Sequence, residues 1–87
     1  MTEPTATPEG CRYLALERVN AEEAIDRITE LLTIAERKGD EVRIRVFTEK
    51  LDEKRQRLAA VTETYRALDC RRVMDDERER AEAGSGR

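Results

Sequence analysis

An 87-residue chain with 43% charged, 38% hydrophobic and 3% aromatic residues has the size of one small domain, and with no Trp, one Phe and two Tyr it cannot build an aromatic-centred core. A balance of 17 basic against 20 acidic side chains, net charge −3, excludes a globally basic nucleic-acid binder. Two cysteines and no histidine exclude a four-ligand zinc site, a His-activated nucleophile and a dense disulfide scaffold, so no metal, cofactor or small-molecule substrate is expected.

Residues 1–10 read as a flexible N-terminal arm. They hold no basic n-region and no apolar stretch, so no signal peptide is expected, and the sparse cysteines point to a reducing, cytoplasmic compartment. No later run approaches the length of a membrane span. Apolar residues recur from Cys11 to Met74, and residues 11–74 are taken as the structured region. Asn20-Ala21-Glu22-Glu23 has the form of a capping box, which allows residues 11–19 to be a separate short helix or an offset turn. Beyond it Ala21, Ile25, Ile28, Leu32 and Ala35 follow one another at alternating spacings of four and three.

Lys38-Gly39-Asp40 is the strongest punctuation in the chain. Gly39 can adopt the left-handed conformation that ends a helix, Arg37 and Lys38 set positive charge on the last carbonyls, and Asp40-Glu41 suits the next helix start. Ile44, Phe47, Leu51, Leu58, Val61, Tyr65 and Leu68 then repeat the same rhythm, with Lys54 in the gap. Val42-Arg43-Ile44-Arg45-Val46 also alternates with period two and is β-branched, so a strand over 42–46 is the competing expectation. Residues 75–87 are charged and Gly/Ser-containing, and read as a fraying C-terminal tail.

An antiparallel pair brings together residues whose numbers add to a constant. Leu14 with Tyr65, Ala21 with Leu58, Ile28 with Leu51, Leu32 with Phe47 and Ala35 with Ile44 share the constant 79. The predicted fold is therefore all-α: an antiparallel two-helix coiled-coil hairpin turning at about residues 38–41, optionally with a short N-terminal helix. In that register Glu22 lies beside Arg55. The apolar stripe is wider than two helices can cover, because Leu31, Ile34, Val42 and Val46 lie off the seam near the turn, and Leu16, Val19 and Val73 do so near the open end. Completion by self-association, in a homodimer, or by another protein is the expectation, with Leu31, Ile34, Val42 and Val46 as the association face.

Two chemical readings compete with this one. Glu22-Glu23-x-x-Asp26 followed by Glu49-x-x-Asp52 resembles the pattern of the all-α nucleotide pyrophosphohydrolases, in which clustered acids on neighbouring helices hold magnesium; the resemblance covers about thirty residues and implies metal-dependent hydrolysis. In the constant-79 register, however, Asp26 faces Glu53 while Glu23 and Glu49 point outward, so the acids do not converge and no catalytic residue is assigned. The second reading is phosphate-backbone binding, RNA or DNA, through Arg43, Lys50, Arg57 and Arg71, which share one heptad position. Glu49, Asp52, Glu53 and Glu63 interrupt that stripe, and no aromatic residues are available to stack on bases. A hairpin also brings Cys11 and Cys70 to one level. On a continuous second helix Cys70 faces outward, so two reduced thiols are expected, and a disulfide only if the register shifts locally.

Overall fold

Helix α1, Pro8–Lys38, begins where Thr7 accepts a hydrogen bond on its hydroxyl from the Gly10 N–H at 3.0 Å. Pro8 follows at the first helical position, where its missing N–H costs nothing, and Glu9 adds negative charge to the first turn. The computed structural model describes residues 6–85, which form α1, α2 (Glu41–Ala67) and α3 (Cys70–Ser85). Of the arm expected over 1–10, residues 8–10 are helical instead, and its first five residues lie outside the described ones. No break occurs at Asn20, and the N-terminal segment expected as a separate helix is the first turns of α1. A capping box needs an interrupted helix, and here the Ala-, Leu- and Ile-rich sequence continues through it.

Gly39 ends α1 in the left-handed region with φ 66°, and the Gly39 and Asp40 N–H groups donate to the Glu36 and Ala35 carbonyls at 3.2 and 3.0 Å. Asp40 then caps α2, accepting from the Arg43 N–H at 3.2 Å. This cap decides between helix and strand at residues 42–46: they are helical, and Thr48 lies inside α2 with its hydroxyl donating to the Ile44 carbonyl at 2.6 Å. A Cβ placed on Gly39 would meet nothing within 4 Å, so Gly39→Ala tests the backbone conformation alone. We expect it to lower stability by about 1–2 kcal/mol in urea unfolding with the helical signal of the folded state unchanged.

Every apolar seam position read from the heptads is buried or half-buried: Ala21, Ala35, Leu51 and Val61 are buried, and Ile25, Ile28, Leu32, Ile44, Phe47, Leu58, Tyr65 and Leu68 are half-buried, while Lys54 in the gap is exposed. The core is a strip along one interhelical line.

The hairpin does not run on to residue 74 as one helix. After Ala67 the chain breaks at Leu68-Asp69, and Asp69 takes φ 52°, a conformation that Asp tolerates better than most residues. The Asp69 carbonyl then accepts from the Arg72 and Val73 N–H groups and opens α3. Residues read as a fraying tail are thus helical as far as Ser85, and the short extra helix stands at the C-terminal end rather than the N-terminal one. Re-aimed by the break, Cys70 turns inward and forms a disulfide with Cys11, Cα atoms 5.4 Å apart. Two reduced thiols are therefore not what the fold contains, and the local register shift is its reason. Both sulfur-bearing residues are fully buried.

Candidate interaction surface

Leu31 and Ile34 stand one turn apart on α1, Val42 and Val46 one turn apart on α2, and the Gly39 turn joins them. Their exposures are 40%, 47%, 73% and 41%. In heptad terms Leu31 shares its position with Glu17, and Arg43 and Lys50 share theirs with Arg57; Ile34 and Val46 follow three residues after Leu31 and Arg43. The Arg57 guanidinium donates to Glu17 across the seam at 3.1 Å. That bridge shows that this heptad position of the two helices opens on one common face of the hairpin; Leu31, Ile34 and Val46 border it at the turn end, and Val42 stands one step further round α2.

The same face carries a short polar chain. Tyr13 hydrogen-bonds Glu17, and this bond, with the negative charge beside it, raises the phenol pKa; the same bond and the Arg57 guanidinium lower that of the Glu17 carboxyl. Glu17 and Arg57 also line, with Asn20, Ala21 and Lys54, the open recess between α1 and α2. The expected Glu22–Arg55 pair is absent: Glu22 accepts from Arg18, one turn away on its own helix, at 3.1 Å. An intrahelical partner at i−4 needs no particular interhelical register, whereas Arg55 would have to be reached across the seam.

The basic stripe is partly neutralised. Arg57 is held by Glu17, and Arg43 by Asp40 at 3.4 Å. Lys50 and Arg71 are exposed, but Arg71 belongs to α3 beyond the Asp69 break and so no longer continues the line of Arg43, Lys50 and Arg57. The acids of the pyrophosphohydrolase-like pattern are likewise dispersed: Glu22 goes to Arg18, and Asp52 accepts from Gln56 at 2.9 Å. Among the described residues no three His, Cys, Asp or Glu side chains are grouped to hold a metal ion.

The disulfide was the feature least visible in the residues themselves. It fastens the start of α3 to the first turn of α1, where Arg12 adds an ion pair to Glu77 at 2.6 Å. Such a bond persists in oxidising surroundings and is opened in reducing ones, so a reducing cytosol no longer follows from the cysteine count. No described helix is long and apolar enough to cross a membrane. Comparison of the chain with protein-family models, curated proteins and solved structures gives no match.

Proposed function

We propose that the chain is a non-catalytic helical protein–protein interaction module, an adaptor, assembly factor or inhibitor that acts by covering a surface with the patch formed by Leu31, Ile34, Val42 and Val46. The observation that supports this reading is the excess of apolar side chains over what the hairpin uses: the seam is filled by other residues, yet these four remain in solvent at the turn end. Their rims carry charge of both signs, as association surfaces do, while the neutralised arginines offer phosphates little.

Burying one such side chain is worth about 1.5–3 kcal/mol, so its replacement by a carboxylate costs about tenfold or more in affinity. Ile34→Asp and Val46→Asp are therefore expected to abolish association, read by sedimentation or light scattering. Helicity at 222 nm is retained, because neither residue belongs to the seam. A parallel loss of helicity, or association that survives both changes, refutes the reading.

A further inference from the structure

We infer that the recess at the open end of the hairpin, where α1, α2 and the start of α3 meet, binds a dianionic phosphate group and is assembled by the Cys11–Cys70 disulfide. The recess has a volume of about 340 Å³; Arg18 of α1, Thr62, Tyr65 and Arg66 of α2, and Asp69 and Arg71 around the break line it. Three guanidinium groups against one carboxylate give it a charge of +2, in a chain whose net charge is −3. It lies at the opposite end of the molecule from the apolar patch at Gly39, so it stands independently of the interaction reading.

The hydroxyls in this recess are the unused ones. Thr29, Thr33, Thr48 and Thr64 each donate to the carbonyl four residues earlier, at 2.7, 3.0, 2.6 and 2.9 Å. Thr7 caps α1, and the Tyr13 phenol bonds Glu17. Among the described threonines and tyrosines that leaves Thr62 and Tyr65 without a hydrogen bond from their hydroxyls, and both are half-buried in the recess wall. A half-buried hydroxyl with no partner in the protein takes one from outside it, water or ligand. Thr62, Tyr65 and Arg66 stand at i, i+3 and i+4, so α2 presents all three along one face.

The arginines are also underused. Arg18 falls on the seam rhythm of α1, four residues after Leu14 and three before Ala21, where an apolar side chain would extend the core. Glu22 holds its Nε at 3.1 Å, which leaves the terminal nitrogens as donors. Arg66 meets Glu63 at 3.9 Å, longer than a hydrogen bond, and Arg71 forms no ion pair among the described residues. Like charges gathered from three segments repel one another, and a dianion set between them replaces that repulsion with attraction. Guanidinium N–H pairs match phosphate oxygens in geometry, and hydroxyls complete the set. The disulfide holds the set together. Cys11 lies about two turns before Arg18 on the same side of α1, and the bond fastens Cys70 to it, with Asp69 and Arg71 on either side.

Calorimetric titration of the oxidised chain with inorganic phosphate and with phenyl phosphate, at constant ionic strength, is expected to give saturable one-to-one binding. Arg71→Gln should weaken it about tenfold or more, and Thr62→Val, which keeps the side-chain shape, about threefold, both with helicity at 222 nm unchanged. Arg27→Gln, at an exposed arginine outside the recess, should leave it as it was. Joint replacement of Cys11 and Cys70 by Ser should weaken binding as much as Arg71→Gln does, because Arg71 departs with α3 while Arg18 and Arg66 stay. Tighter binding of phenyl phosphate assigns the site to an esterified phosphate, and tighter binding of inorganic phosphate to the free ion. Dimethyl phosphate, a monoanion, should bind more weakly than either. Absence of saturable binding, or an equal loss from Arg27→Gln, overturns the site. Equal affinity for dimethyl phosphate overturns the dianion, and full binding by the Ser variant overturns assembly by the disulfide.

Discussion

Replacing Cys11 and Cys70 together by Ser is expected to lower the unfolding free energy by about 4 kcal/mol, the chain-entropy value for a crosslink that closes a loop of this size. The two cysteines are 59 residues apart in sequence, so the bond restricts most of the unfolded chain. For a domain of this length each kcal/mol moves Tm by about 4–8 °C, which makes the expected drop roughly 15–30 °C. The loss should be uneven. Among the described residues of helix α3 Cys70 is the buried one, its half-buried apolar side chains are Val73 and Met74, and the Arg12–Glu77 ion pair ties it to α1 beside the sulfur bridge. An ion pair that exposed is worth little. Without the disulfide α3 is expected to detach before the hairpin melts, so that trypsin cuts first at Arg71, Arg72 and Arg78 while Arg27 and Arg37 stay protected. Adding a reductant to the wild-type chain should reproduce both effects and leave the double variant unchanged. Equal Tm values for the two proteins would remove the disulfide from the account of stability.

The hairpin was readable from the residues because two local signals and one long-range signal agreed. Lys38-Gly39-Asp40 combines a left-handed C-cap, a cationic last turn and an acidic N-cap, and the two heptad runs on either side match in register. The alternation at residues 42–46 was a false lead: a β-branched pentad fits either period, and the Asp40 cap settles it as helix. Both ends were misplaced for a different reason. Thr7-Pro8-Glu9 is a regular helix start that a Pro- and Thr-containing stretch resembling an arm conceals, so the signal was present. The break at Leu68-Asp69 has no such signal, since neither Gly nor Pro marks it and Asp69 alone takes the left-handed turn. Everything that depends on that break was hidden with it: the independent helix α3, the inward turn of Cys70, the disulfide, and the separation of Arg71 from the basic stripe. The exposure of Leu31, Ile34, Val42 and Val46 was legible because they lie off the heptad rhythm, and the structure leaves them in solvent.

Truncating Leu51 to Ala should cost about 2–3 kcal/mol, at the lower end of the range for buried leucines. Leu51 is 7% exposed in the middle of the seam, so the lost transfer energy is nearly complete. The cavity contribution is small because the core is one strip wide, and solvent or neighbouring side chains reach the vacated space from either side. Leu31→Ala removes the same atoms from a residue that is 40% exposed, and within one hairpin it should cost much less, about 1 kcal/mol or below. The two variants thus separate folding from association. Loss at Leu51 is the same at every protein concentration, because the seam lies within the chain. Loss at Leu31 should grow with the concentration of whatever the patch binds, because a bound wild type gains stability by mass action and the variant does not. Urea unfolding followed by circular dichroism at several concentrations measures both. Two variants with equal, concentration-independent losses would make Leu31 ordinary core and leave the hairpin complete on its own.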